Sequence, residues 1–358
     1  MTSGSGAPPE LIDVRDDERF DEVKVAAYLR DKLDGADRPL TVRQFGGGHA
    51  NLTYLLRYGD GDDVVEYVLR RPPLGPVAAT SHDMHREYRA LSRLWRAFPL
   101  APRAFLYCDD DSIVGAHFLV MERRRGIVVR NVVPPEFGGG DDPVANRKLS
   151  EVVIDSLVDF HAVDPVAIDL QDLGKPEGFL KRQVEGWAAR FERAKVRDAP
   201  IADEVVRWLL DELPASPNPS LVHNDWKLDN MAIVEDDPGR CAAVYDWDMC
   251  TVGDPLCDLG TLLGLWSNRG EGSAGSNPMP TQSEGFMSRE QATARYAERS
   301  DCDVGAIPYY IAFGTFKMGV VLQQIYFRYH NGQTQDERFA GLGQLATSLY
   351  HLAADRRP

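Results

Sequence analysis

The chain has 358 residues, 43% of them hydrophobic, which allows two domains or lobes with a sizeable core and excludes a globally disordered polypeptide. Its formal charge of −15 speaks against a nucleic-acid binder, which advertises a basic surface. Five scattered cysteines (Cys108, Cys241, Cys250, Cys257, Cys302) form no C-x-x-C pair and no zinc-ligand spacing, so they read as free thiols of a reducing, cytoplasmic compartment.

The first residues, "MTSGSGAPPELIDVRDDERF", carry neither the basic nor the apolar region of a signal peptide, and residues 1–20 read as a mobile N-terminus. "FDEVKVAAYLRDKL" is predicted as an amphipathic helix with Val23, Ala26, Ala27, Leu29 and Leu33 on one side. "TVRQF", "LTYLLRY" and "VVEYVLR" follow, separated by "GGGHAN" and "GDGDD", in the pattern of an antiparallel meander. In "TSHDMHREYRALSRLWRAF", Thr80 and Asp83 could form a capping box, and Met84, Tyr88, Leu91 and Trp95 recur at helical spacing. "AHFLVMER" is a further apolar strand. The front of the chain is therefore a small sheet with one inserted helix.

The character changes near residues 123–126. "RKLSEVVIDSLVDFHAV", "FLKRQVEGWAARFERA" and "ADEVVRWLLDEL" are helical patterns. Two short strands come next. Four more helical stretches follow, in "LCDLGTLLGLW", "REQATARYAERS", "IPYYIAFGTFKMGVVLQQIYFRYH" and "FAGLGQLATSLYHLAAD". "SNRGEGSAGSNPMPTQSEGF" reads as a long mobile loop. No apolar run reaches the ~20 residues a membrane span needs, so no membrane partner is expected.

The two short strands carry the chemistry. In "LVHNDWKLDNMAIV", Asp225 and Asn230 flank one polar loop, and Asp246 ends the next strand in "AAVYDWD". If the segments pair as a hairpin, Asn230 and Asp246 meet at one end. An amide oxygen and a carboxylate there suit Mg²⁺, a hard cation that keeps waters and completes its shell with phosphate oxygens. Asp225 would stand nearby to orient a hydroxyl and accept its proton. Taken singly, each residue is as well explained by a polar turn.

H-x-D-x-x-x-x-N, a strand, and a second Asp at a strand end resemble the core of the aminoglycoside phosphotransferase and choline kinase-like family. "YVLRRPPLG", "HREYRAL", "LVMERRRG" and "GDPLCDLG" add to the likeness. Within the family they look most like the kinase-like domain of certain acyl-CoA dehydrogenases and its free-standing bacterial relatives. The resemblance implies an α+β, protein-kinase-like fold of two lobes: a small antiparallel-sheet, nucleotide-binding N-lobe over 21–122 and a larger, mostly helical C-lobe over 123–358. It implies Asp225 as the catalytic residue and Asn230 and Asp246 as metal ligands. It further implies Arg70 on the nucleotide phosphates, Glu87 as its ion-pair partner, Gly46, Gly47, Gly48 and Asn51 in a loop over the phosphates, and Met121 and Glu122 at an adenine-reading hinge. The implied reaction moves the γ-phosphate of ATP or GTP, with Mg²⁺, to a hydroxyl of a small molecule. A non-catalytic nucleotide-binding module and an antibiotic kinase are the alternatives.

The sequence departs from the family in reading H-N-D where antibiotic kinases have H-G-D, and in placing Arg rather than Lys at position 70. His223 and His161 are expected as structural histidines. Asp258 is expected to cap a helix and hold the catalytic loop's backbone, and Asp229 to face solvent. Asp248 could touch metal or substrate or be a plain turn acid. The run 123–125 is expected as a solvated charge run, or as a basic rim for an anionic substrate such as an acyl-CoA.

Overall fold

The computed structural model describes residues 10–46, 51–61, 63–73, 83–271 and 278–358. The chain divides into two compact units, Met1–Arg124 and Arg125–Pro358.

The first unit is built on a six-stranded sheet. Its strands are β1 (Leu11–Ile12), β2 (Leu40–Phe45), β3 (Leu52–Tyr58), β4 (Val65–Arg71), β5 (Ala104–Cys108) and β6 (Phe118–Glu122), in the spatial order β1-β2-β3-β4-β6-β5. Every pairing is antiparallel. The meander is as the alternating pattern predicts; β5, short and half-buried, is not legible from its five residues. Residues 10–20 are not a loose tail: β1 pairs with β2, and Tyr54 donates from its hydroxyl to the Glu18 carbonyl at 2.8 Å. Two helices complete the unit, α1 (Glu22–Leu29) and α2 (Met84–Leu94). Helix α1 buries Val25 and Leu29, while Val23 is 80% exposed, so its core face is rotated from the predicted one. Helix α2 is capped by Asp83, whose carboxylate accepts from the Arg86 N–H at 2.9 Å; Thr80 lies outside the described residues. The buried stripe of α2 is Met84, Glu87, Leu91 and Leu94 rather than one through Tyr88 and Trp95. A carboxylate thus sits on the core face.

The second unit is mostly helical: α3 (Pro143–His161), α4 (Phe179–Arg193), α5 (Pro200–Asp211), α6 (Leu256–Leu265), α7 (Arg289–Arg299), α8 (Ile307–His330) and α9 (Leu342–Asp355). Four short strands make two ribbons, β7 (Ser220–Val222) with β10 (Thr251–Gly253), and β8 (Met231–Val234) with β9 (Asp237–Val244). All ten residues of α6 are buried, as its lack of polar periodicity implies. Helices α6 and α8 cross with their backbones nearly touching. A Cβ on Gly260 would stand 2.5 Å from the Tyr310 carbonyl carbon, and one on Gly314 would stand 2.6 Å from the Thr261 Cα. The segment expected as a mobile loop is built at both ends. Thr281 and Ser267 are buried and bond each other at 3.0 Å, and Arg289 meets Glu271 at 2.5 Å. Residues 272–277 between them are outside the described set. No helix among the described residues is long and apolar enough to cross a membrane.

Candidate active site

The second unit gathers the acids of the two short ribbons. Met231 opposes Val244 in the β8–β9 hairpin, and the Tyr245 N–H donates to the Asn230 carbonyl at 2.8 Å. Asn230 and Asp246 therefore stand at the same open end, where the hairpin reading puts them. The Asn230 amide Nδ2 donates to both the Asp225 carbonyl at 2.8 Å and the Asp225 Oδ2 at 2.9 Å. That fixes the amide's orientation and leaves Oδ1 as its acceptor face. Asp246 adopts a left-handed backbone, φ 66 and ψ 60. Among the described residues no cluster of three or more His, Cys, Asp and Glu could hold a metal. One amide oxygen and one carboxylate at this end would suit a Mg²⁺ that took its remaining ligands from water and phosphate.

Asp225 is held from three sides. Asn230 donates to it, the Lys227 ammonium pairs with its Oδ2 at 3.0 Å, and its N–H donates to His223 Nδ1 at 3.2 Å. The other nitrogen of His223, Nε2, lies 2.9 Å from the Tyr245 carbonyl. This pattern assigns the ring proton to Nε2, so His223 braces the Asp225 loop against the Asp246 strand. Lys227 also reaches Asp229 at 3.8 Å. Burial alone would lower its ammonium, but Asp225, Asp229 and Asp246 outweigh this and hold it above its usual range. Asp229 does not face open solvent: its side chain is 26% exposed. Burial pushes its carboxyl up, Lys227 pulls it down, and Asp225 adds to the push.

The loop's backbone hangs on α6. Asp258, fully buried, accepts from the N–H of His223 and of Asn224, each at 2.6 Å. His161 lies 3.3 Å from the same carboxylate and 2.7 Å from the Tyr296 hydroxyl, which ties α3, α6 and α7 together. Burial pushes the Asp258 carboxyl up, yet the hydrogen bond and charge of His161, with His223, hold it below the usual range. Asp258 thus holds backbone, as expected, but does not cap α6: the first N–H of the helix, that of Leu256, donates to Asp254 at 2.9 Å. From α8, Lys317 donates to the Asn224 carbonyl at 2.6 Å. Burial depresses its ammonium, against the pull of Asp225 and Asp258. Lys227 and Lys317 were not singled out by sequence reasoning. The first sits within the motif; the second is a lone cation in an apolar helical run.

In the first unit, Arg70 and Glu87 form the expected ion pair, 2.7 Å apart, with their side chains 9% and 0% exposed. Arg71, next along β4, is a structural cation: it bonds the Glu18 carbonyl at 2.6 Å and the Tyr54 hydroxyl at 2.8 Å. Gly46 closes β2, donating to the Glu10 carbonyl at 3.1 Å, and Asn51 is buried at the start of β3. Gly47 and Gly48 lie outside the described residues. Met121 and Glu122 end β6, where Glu122 pairs with Arg124 at 2.9 Å. The run 123–125 is not a plain solvated one. Arg123 is 10% exposed, pairs with Glu10 at 2.9 Å and lies 4.8 Å from the Phe45 ring centroid.

A small antiparallel sheet with a helix-borne Glu paired to a strand Arg, followed by a helical unit carrying H-x-D-x-x-x-x-N and a strand-end Asp, is the kinase-like fold. The profile of the phosphotransferase enzyme family matches residues 41–296, and the chain belongs to that family. The chain is 30% identical over 348 residues to acyl-CoA dehydrogenase family member 11 of Pongo abelii, a match covering 94% of this chain and 43% of that protein. The chain thus spans less than half the length of this curated relative. A candidate aminoglycoside phosphotransferase from Ralstonia eutropha is 26% identical with a TM-score of 0.79, covering 94% of this chain and 98% of its own. Choline kinase from Cryptosporidium parvum shares the fold at a TM-score of 0.65 and 10% identity, covering 94% and 95%.

Proposed function

We propose that the chain moves the γ-phosphate of ATP or GTP to a hydroxyl of a small hydroxylated acceptor. The observation that carries this reading is the bonding of Asn230 to Asp225 beside Asp246 at one end of the hairpin. Asp225 orients the acceptor hydroxyl and takes its proton. Asn230 Oδ1 and the Asp246 carboxylate hold Mg²⁺, which when bound neutralises phosphate charge. Lys227, paired with the Asp225 carboxylate at 3.0 Å, keeps it turned toward its work. In the first unit, Arg70, braced by Glu87, is the cation for the nucleotide phosphates. For the acceptor we propose the class of hydroxylated acyl compounds, on the strength of the acyl-CoA dehydrogenase relatives.

The test is a coupled nucleotide-consumption assay over hydroxyacyl thioesters, free hydroxy acids and aminoglycosides. Asp225→Ala is expected to lower turnover by about 10²–10⁴-fold, the range for a general base, while Mg-nucleotide still binds. Full turnover in that variant, or no Mg-nucleotide binding by the wild type, would sink the reading. Turnover on aminoglycosides alone would sink the acyl acceptor only.

A further inference from the structure

Asn224 occupies the position between the bracing histidine and Asp225. Its backbone is left-handed, φ 69. Only three described non-glycine residues have positive φ, and Asn224 and Asp246 are two of them. Glycine takes this conformation freely, and Asn is among the few other residues that tolerate it. Asn224 does something a glycine could not. Its Nδ2 donates to the Met249 carbonyl at 2.9 Å, in the turn that follows Asp246. Its N–H is held by Asp258 and its carbonyl by Lys317, each at 2.6 Å. Three partners, 25, 34 and 93 residues further along the chain, therefore fix one residue.

The consequence lies in the Asp246 turn. On its near side, Tyr245 is bound through its N–H to Asn230 and through its carbonyl to His223. On its far side, Met249 is bound to Asn224. Asp246 is bracketed by ties to the Asp225 loop on both sides, and the far-side tie is the Asn224 side chain. We propose that Asn224 is a positioning residue: through Met249 it locks the Asp246 carboxylate against the loop that carries Asn230 and Asp225. The two ligands come from separate loops, so a fixed spacing removes part of the ordering cost of Mg²⁺ binding. The inference rests on the metal reading of Asn230 and Asp246.

The test is the Mg²⁺ concentration that gives half of the ATP-dependent rise in melting temperature, at fixed ATP and with the full chain. Asn224→Gly keeps the left-handed backbone and loses the tie. Its half-saturating Mg²⁺ is expected to rise about 5-fold, the worth of one hydrogen bond, with little change in the nucleotide-free melting temperature. Asn224→Asp keeps the shape but sets a carboxylate against the Met249 carbonyl, and is expected to shift the midpoint further. Asn331→Gly removes a similar amide–carbonyl bond (to Phe327, 2.8 Å) at the end of α8, and is expected to leave the midpoint unchanged. If Asp246→Ala raises the Mg²⁺ midpoint and neither Asn224 variant does, the tie has no such role. A shift in the Asn224 variants that only tracks lost thermal stability, as read from Asn331→Gly, overturns it too. If Asp246→Ala leaves the midpoint unchanged, or the wild type shows no Mg²⁺-dependent ATP effect, the metal reading fails and the inference with it.

Discussion

At the residue scale, the site depends on a few carboxylates whose neighbours set their charge. Asp258 is the most constrained, since it is fully buried and accepts two backbone N–H groups. Asp258→Asn turns an acceptor toward one N–H and a donor toward the other. The expected cost is about 3–5 kcal/mol of unfolding free energy, the range for breaking a buried charged contact, read by denaturant titration. The native carboxyl titrates below its unfolded value, so its stabilisation is full above that value, about 4, and is lost as pH falls through the lower native one. The wild type should therefore lose stability down that window, and Asp258→Asn should lose less. A parallel acid profile in the two proteins would mean that Asp258 is not the group responsible. That Asn230 meets Asp225 and shares a hairpin end with Asp246 was legible because their spacing and the strand-end position of Asp246 are local features. The tether from Asn224 was not: it needs the turn after Asp246 to fold back, which no local pattern encodes.

At the scale of elements, α6 and α8 act together. One carries Asp258 and the other Lys317, and both reach the His223–Asn224 backbone because the helices cross at glycines. Gly260→Ala would force the crossing apart. It is expected to cost about 1–3 kcal/mol by overpacking and to lower turnover as Asp258 is drawn off the loop. Unchanged unfolding and activity would show that the helices part without consequence. In the first unit, Glu87→Gln leaves the Arg70 guanidinium buried beside a neutral group. The expected loss is about 3 kcal/mol on thermal or denaturant unfolding, with weaker ATP binding. A variant as stable as wild type would argue against a buried ionic pair. The helices of both units and the central strands β2, β3, β4 and β6 follow from the sequence periodicity, β1 and β5 do not, and the buried faces are less readable. Helix α1 shows Val23 to solvent, and α2 buries Glu87, because tertiary partners rather than spacing choose the face.

At the scale of the whole molecule, ligand binding should register as stability. Mg-ATP at about 100 times its dissociation constant is expected to add about 2.7 kcal/mol to the unfolding free energy. Excess chelator at the same ATP concentration should abolish most of that gain, and a melting curve measures both. An ATP effect indifferent to chelator would place the nucleotide on the protein without its metal. The charge of −15 gives the surface a field that disfavours free anions, so ATP delivered as its magnesium complex meets less repulsion than bare ATP.

Each of the two site acids is followed directly by a tryptophan. Trp226 and Trp247 are both 1% exposed, with their indole N–H groups bonded to the Val153 carbonyl at 3.1 Å and the Val244 carbonyl at 2.7 Å. Both rings also lie against His223, with centroids 5.7 and 4.7 Å away. The chain therefore carries two built-in fluorophores on the loops that bear Asp225 and Asp246, among six tryptophans in all. Their emission should report any rearrangement of those loops without an added label, and Trp→Phe at either position should remove that loop's share of the signal.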